Sequence, residues 1–292
     1  MSRRKNRGHD LAAYALLATT EPDEHTDLRH KGVLGYRTRT VEAGPMLYIS
    51  AHPVALYRAS EEARAKLHGV TREALQRANR KRSMLRMEQY LHANFTQGDL
   101  FITLTYSDDE LPATVDEVRA DIRRYMARLR RAAKKAGTVL KYIYVIELSD
   151  RRDEDPNARQ NWHVHMVLSG ICRETAEDAW PHGYANGRRL QDSAERFTGI
   201  AKYMLKRRSS WRTWERSRNL TPPVERVADR QLSRRRVALL ARDVRANARE
   251  IFERIYPGYR LIDDDADVRV SDFVPGAYIY ARMRRREGRR NE

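Results

Sequence analysis

The sequence is poor in cysteine: Cys172 is the single thiol among 292 residues. One thiol excludes an internal disulfide framework, and it also excludes a zinc site built from several thiolates. Scarcity of cysteine is typical of proteins in a reducing compartment, so we expect a cytoplasmic protein.

Long apolar runs are absent as well, since no stretch is long and apolar enough to cross a membrane. The basic start MSRRKNRGHD precedes a short apolar stretch, which resembles a signal peptide weakly because no clear small-residue cleavage site follows. The phosphate-binding motif G-x-x-x-x-G-K-[ST] is also missing. We therefore expect no membrane partner and no fused helicase, and any unwinding of DNA would need a separate host helicase.

Acidic residues are outnumbered, with 40 Asp and Glu against 57 Lys and Arg and a net charge of +17. Such an excess predicts a polyanionic partner, either a nucleic acid or an anionic membrane surface, although a basic protein with a solvated surface has the same composition. Arginine is concentrated in residues 64–86 and 226–249. If these stretches bind phosphates, affinity should fall steeply with salt.

Hydrophobic periodicity predicts the order β-α-β-β-α-β-α between residues 101 and 208. FITLTY (101–106), VLKYIYVIEL (139–148) and WHVHMVLSG (162–170) have strand composition, and Thr114 with Glu117 matches a helix capping box. We expect an α+β fold with an antiparallel sheet of the split-βαβ, ferredoxin-like or RRM-like type, with helical flanking segments. The last predicted helix is 194–208.

The flanking segments are less informative. Residues 60–94 are expected to be helical from a cap at Ser60, residues 224–255 are expected to be helical, and the tail has a strand-like run. These patterns predict a basic, largely helical extension at 1–95, a central domain at 96–223, and a basic helical segment and tail at 224–292.

Two histidines stand on one side of the strand NWHVHMVLSG, because side chains alternate between the faces of a strand. His163 and His165 then oppose the large apolar set Trp162, Val164, Met166 and Leu168, which should pack on helices. The same alternation places Glu147, Thr103 and Thr105 with the histidines. Two imidazoles and a carboxylate suit Mg²⁺ or Mn²⁺, or Zn²⁺ by affinity, although His-x-His in a strand is usually structural or incidental.

Tyr203 lies off the middle of the apolar stripe of the predicted helix 194–208, with Gly199 one turn before it and Lys206 three residues after it. A tyrosine placed in this way is a candidate nucleophile toward a phosphodiester, with the lysine stabilising the phenolate or the phosphate. A surface aromatic beside a solvated or DNA-contacting lysine has the same pattern, and Y-x-x-K alone favours that alternative.

FITLTY, HVH and YMLK, in this order, resemble three motifs of the HUH endonuclease superfamily. Over roughly residues 95–223 the chain is similar to rolling-circle replication initiators, the Rep proteins of small phages and plasmids, of the single-tyrosine type. The resemblance implies a nickase and strand-transferase that cuts single-stranded or extruded origin DNA through a covalent 5′-phosphotyrosine. It further implies a divalent cation, Mg²⁺ or Mn²⁺, and a host helicase and replication machinery as partners in a bacterial host cytoplasm.

Carried over by position, the resemblance implies metal ligands at His163, His165 and Glu147, a nucleophile at Tyr203 and a helper at Lys206. Asp108, Asp109 or Glu110 remain alternatives to Glu147, because a long charged loop separates Glu147 from the histidines. The expected DNA contacts are Thr103, Thr105, Lys202, Arg207 and Arg208, and the aromatics that can stack on bases are Trp211, Trp214 and Tyr184.

Two other functions remain open. An HUH transposase or a mobilisation relaxase would use the same histidines and tyrosine on different DNA. A basic nucleic-acid-binding protein on a ferredoxin-like scaffold, with no catalysis, would share the sheet and the charge.

Overall fold

The computed structural model describes residues 9–26, 28, 32–55, 60–149, 160–205 and 214–286. The strands are β1 His9–Asp10, β2 Val33–Ala43, β3 Met46–Ala55, β4 Leu100–Tyr106, β5 Lys141–Ser149, β6 Asn161–Ser169, β7 Gly183–Arg189, β8 Glu215–Arg216, β9 Val224–Asp229, β10 Tyr259–Val270 and β11 Ala277–Arg285. The helices are α1 Glu61–His68, α2 Arg72–Asn94, α3 Val115–Lys135, α4 Arg173–Asp178, α5 Thr198–Met204, α6 Arg234–Arg242 and α7 Val244–Ile255, with 3-10 turns at Ala12–Leu17 and Asp108–Glu110. None of the helices in the described ranges is long and apolar enough to span a membrane.

The chain divides into two compact units. The inserted unit is the continuous stretch Ser83–Pro222, and the discontinuous unit combines Met1–Arg82 with Pro223–Glu292. Within the inserted unit, the Asn94 side chain joins the end of α2 to the exit segment, since its Nδ2 donates to Thr221 O at 2.8 Å and its Oδ1 accepts from Thr221 N at 2.7 Å. The domain boundaries predicted at 96 and 223 stay a prediction.

An antiparallel sheet in the order β7-β4-β6-β5-β8 forms the centre of the inserted unit. With α3 between β4 and β5 and α4 between β6 and β7, the chain runs β-α-β-β-α-β, which is the split-βαβ arrangement. The predicted α+β fold class is therefore confirmed, and so is the β5–β6 hairpin.

Helix α3 covers one face of this sheet. It begins where the Thr114 hydroxyl accepts from Glu117 N, at the predicted capping position. Its buried residues recur at helical spacing and pack on alternate residues of the strands: Val118, Ile122, Tyr125, Met126 and Leu129 on the helix, and Ile102, Leu104, Ile146, Trp162, Val164, Met166 and Leu168 on the sheet. The apolar face assigned by alternation is the face that packs on this helix.

The opposite face was predicted to be more open, and that expectation is wrong for half of it. A second apolar cluster there joins Phe101, Ile143, Val145 and Val167 to the end of α2 and to α5. These strands carry apolar residues on both faces, so they need cover on both sides. The uncovered part lies at the end of the sheet that carries the histidines.

The discontinuous unit contains a second antiparallel sheet in the order β10-β11-β3-β2-β9, with β1 also paired to β3. Helices α6 and α7 pack against it through a buried set: Val237, Leu240, Ala248, Ile251 and Phe252. Strands β2 and β3 lie in a region that the sequence pattern left unassigned.

Three predicted elements need correction. Residues 224–229 were expected to be helical, yet they form β9, where Glu225 and Asp229 pair with Arg39 and Arg37 of β2. The predicted helix 60–94 is interrupted between α1 and α2. The predicted helix 194–208 begins only at Thr198, and its predicted end lies outside the described residues.

Candidate active site

The strand register brings five predicted site residues together at one end of the sheet. Thr103 and Thr105 of β4 stand opposite His165 and His163 of β6, and His163 stands opposite Glu147 of β5. Directly opposed residues in an antiparallel pair have their Cβ atoms about 5 Å apart, so their side chains meet. The alternation seen in the sequence therefore becomes a polar patch across three strands.

Each histidine is held by a threonine. The Thr103 Oγ1 lies 3.1 Å from Nδ1 of His165, and the Thr105 Oγ1 lies 3.1 Å from Nδ1 of His163. The two rings are nearly parallel, at 10°, with their centroids 6.4 Å apart. Because Nδ1 is engaged in both rings, Nε2 is the nitrogen turned toward the patch, and at His165 it lies 3.0 Å from Oε2 of Glu147.

Tyr203 lies against this patch. Its ring meets His165 edge-on, with centroids 5.2 Å apart at 71°, and meets Phe101 edge-on at 5.9 Å. The side chain remains 48% exposed, so a ligand can reach it. A Cβ added at Gly199, one turn earlier on α5, would meet no atom within 4 Å, so there is open space beside the tyrosine.

The helix that carries Tyr203 is anchored by buried polar residues of α2. The Thr198 hydroxyl donates to Oε1 of Glu88 at 2.8 Å, and the backbone N–H of Phe197 donates to Nε2 of His92 at 3.1 Å. Thr198, Glu88 and His92 are all buried. Since buried polar groups need partners, these bonds fix the start of α5 relative to the sheet.

The donor set fits a divalent cation. Imidazole nitrogen and carboxylate oxygen are common metal ligands, and Nδ1 hydrogen bonds are the usual support for a ligating histidine. Two cis ligands, each about 2.1 Å from a metal, lie about 3.0 Å apart, and the Nε2 of His165 is 3.0 Å from the Oε2 of Glu147. Across the described ranges, however, no group of three His, Cys, Asp or Glu side chains is already placed to hold a metal. His163 would have to be drawn in by the ion.

The other predicted residues have varied positions. Lys202 is exposed and pairs with Glu195 at 3.8 Å, and Glu110 pairs with His182 at 2.9 Å rather than with the histidine pair. Tyr184 is exposed on β7, opposite Thr105. The residues that lie outside the described ranges are Lys206, Arg207, Arg208 and Trp211.

Phe101 is a site residue that sequence reasoning missed. Its ring stacks on His165 with 9° between the planes, and the guanidinium of Arg188 lies 5.0 Å from its centroid. The alternation that selected Thr103 and Thr105 also places Phe101 on the same face, two positions earlier. Glu88 and His92 had no such signal, because nothing local indicates that α2 packs on α5.

Residues 99–208 match the model of the replication-associated protein ORF2 family. The matched range begins just before β4 and includes Tyr203 and the five residues of the polar patch. No curated protein and no solved structure matches the chain significantly. The family match supports a replication initiator and a role in DNA replication.

Proposed function

We propose that this protein is a metal-dependent endonuclease that nicks single-stranded or extruded origin DNA and starts rolling-circle replication. The observation that carries the proposal is the edge contact between Tyr203 and His165, within a patch that also holds His163 and Glu147. A phenol beside a metal-type donor set is the combination that phosphodiester transfer to a tyrosine requires.

The reaction is an exchange of two phosphorus–oxygen bonds. The Tyr203 oxygen forms a bond to phosphorus while the bond from phosphorus to O3′ breaks, which leaves a 5′-phosphotyrosine and a free 3′-hydroxyl. The phenol loses its proton to solvent or a nearby base, and O3′ gains one, so the charge balances. Attack by a 3′-hydroxyl on the phosphotyrosine reverses the exchange and joins strands.

His163, His165 and Glu147 would hold the cation. When bound, a divalent ion withdraws charge from the non-bridging phosphate oxygens and makes the phosphorus easier to attack. Thr103 and Thr105 keep the rings oriented, and Phe101 supports the flat face of His165. Tyr203 approaches the ring edge and is partly exposed, so DNA can lie over it.

The test is a denaturing gel of the protein incubated with single-stranded origin DNA and Mn²⁺. The native chain should give a covalent adduct, and Tyr203→Phe should abolish it. Tyr184→Phe is the matched control, because Tyr184 is an exposed tyrosine of the same unit, on the strand beside β4.

An adduct that persists in Tyr203→Phe would refute the assignment of the nucleophile. DNA binding with no cleavage by the native chain would favour the non-catalytic alternative. Preference for a transfer origin or a transposon end would favour a relaxase or a transposase.

A further inference from the structure

A large groove opens in the inserted unit, at the end of β5 away from Glu147. Its volume is about 1330 Å³, and it lies between the last turns of α3, the start of β5 and the segment 214–219. Clefts for small ligands commonly measure about 300–1,000 Å³, so this groove is large for a small molecule. A segment of a polymer is the better match for its size.

The rim of the groove is basic. Arg130 and Lys134 come from α3, and Arg216 and Arg218 come from the segment 214–219. All four side chains are exposed, and within the part of the chain that the structure describes none pairs with a carboxylate. Glu215 is the acidic residue of the lining, and its Oε2 accepts from the Tyr144 hydroxyl at 2.8 Å. The charge therefore suits an extended polyanion.

Aromatic rings stand among these cations. Tyr142 accepts from Arg130 NH2 at 3.1 Å through its hydroxyl, with the guanidinium 5.8 Å from the ring centroid. Trp214 is partly exposed, and its Nε1 donates to Ser83 Oγ at 3.0 Å, which fixes the ring. Cations alternating with partly exposed rings are the pattern that binds single strands, because phosphates meet the cations and bases stack on the rings. A duplex would offer no unstacked base to the rings.

The groove is braced in this shape. Strand β8 pairs with β5, the Tyr142 N–H donates to Ser217 Oγ at 3.1 Å, and Asn219 Nδ2 donates to Leu140 O at 3.0 Å. These bonds hold the segment 214–219 along the edge of the sheet. The binding surface is thus formed before any ligand arrives, which lowers the entropic cost of binding.

The groove and the candidate active site share β5 but not its end or its face. Tyr142 and Glu147 are five positions apart, which is about 17 Å along a strand, and the odd spacing turns them to opposite faces. A mononucleotide cannot occupy both places, whereas a longer strand can. We propose that this groove is a second binding site for single-stranded DNA, occupied by a stretch that does not contain the cleaved phosphate.

The identity of the ligand as DNA rests on the proposed function, so binding must be measured without cleavage. The experiment uses the full chain carrying Tyr203→Phe and a fluorescent 30-nucleotide single strand, read by anisotropy across a salt series. Arg130→Ala/Lys134→Ala is the test variant. Arg123→Ala/Lys135→Ala is the matched control, since it removes one arginine and one lysine from exposed positions of the same helix outside the groove.

The test variant should bind roughly ten-fold more weakly, and the slope of log affinity against log salt should fall by about 1.4, which corresponds to two phosphates on a single strand. The control should stay within about two-fold. Equal losses in both variants, or a greater loss for duplex than for single-stranded DNA, would overturn the groove. If the native chain forms no covalent adduct but the groove variant still loses binding, the nickase proposal fails and the groove stands.

Discussion

At the scale of single residues, the candidate site depends on two hydroxyl groups. Thr103 and Thr105 were expected to contact DNA, and the structure places them on Nδ1 of His165 and His163 instead. A hydroxyl can both donate and accept, so it keeps its bond whichever ring nitrogen carries the proton. The histidines can therefore exchange a proton on Nε2 for a cation without turning their rings.

Removing one hydroxyl should weaken metal use more than folding. We expect Thr103→Val to raise the Mn²⁺ concentration needed for half-maximal cleavage by about 10- to 100-fold, because a ligating histidine would lose the partner that orients it. Thr103→Ser keeps the hydroxyl and should stay within a few-fold of the native chain. Titration of the cleavage rate with Mn²⁺ measures this, and equal behaviour of the two variants would contradict it.

Gly199 tests whether the open space beside Tyr203 is used. Gly199→Ala adds a methyl group that meets no atom within 4 Å, and it should raise the free energy of unfolding by about 0.5–1 kcal/mol, since glycine disfavours a helix. If a DNA phosphate occupies that space, cleavage should fall while stability rises. Thermal unfolding and single-turnover cleavage check the two effects, and unchanged cleavage would mean that DNA approaches from elsewhere.

Alternation along three strands was enough to predict which side chains share a face, because it needs only the two-residue period of a strand. It was not enough to predict which atoms meet. The pairing of Thr103 with His165 depends on the register between β4 and β6, which no local pattern encodes. Phe101 lay within reach of the same alternation, but its role needed the ring geometry of His165.

At the scale of elements, α2 positions α5. The buried bond from Thr198 to Glu88 and the bond from Phe197 N to His92 connect the helix of the candidate nucleophile to a longer helix. A seven-residue helix is too short to be stable alone, so its position comes from such contacts. Any loosening here should act on Tyr203 from a distance.

Thr198→Val tests this connection, because it keeps the shape of the side chain and removes the donor to Glu88. Leaving a buried carboxylate short of a partner should cost about 1–3 kcal/mol in the free energy of unfolding. Amides of residues 198–204 should exchange faster with deuterium, and adduct formation should slow. Thr198→Ser keeps the hydroxyl and should restore both, whereas protection unchanged in Thr198→Val would contradict the anchoring role.

Elements whose residues fit only one local pattern were predicted well, and α3 is the example. Strand β9 failed because arginine and glutamate have good helix propensity, which the ladder and ion pairs to β2 override. The interruption between α1 and α2 follows Gly69, which the basic run on both sides obscured.

At the scale of the whole molecule, buried tyrosines mark the core of the inserted unit. Burial, reinforced by Asp121, raises the pKa of Tyr106 well above its ordinary value, and burial with the nearby Glu177 does the same for Tyr125. For Tyr144, burial and the hydrogen bond to Glu215 also raise the pKa. All three lie in the cluster between α3 and the sheet.

These shifts predict alkaline unfolding. A raised folded pKa means that the native state holds the proton more tightly, so this stabilisation is complete below about pH 10, the unfolded value. It is lost as the pH rises from there toward the folded pKa. Tyr125→Phe removes the hydroxyl that donates to Ala176 O at 2.7 Å. It should cost about 1 kcal/mol at neutral pH yet give a shallower fall in stability above pH 10.

Urea unfolding at several pH values between 7 and 11.5 would measure that slope. Tyr184→Phe serves as the control, since its side chain is exposed and should leave the curve unchanged. A Tyr125→Phe curve parallel to that of the native chain would contradict the role of this group.

The interruption of one unit by the other has a consequence for the order of folding. As the nascent chain leaves the ribosome, residues 83–222 emerge as one stretch and can close on themselves, with Asn94 already able to reach Thr221. The sheet that contains β2 and β3 must wait, because its partners β9 and β11 are translated last. A ribosome stalled once residue 222 has emerged would thus display a finished inserted unit while the other unit is still half built.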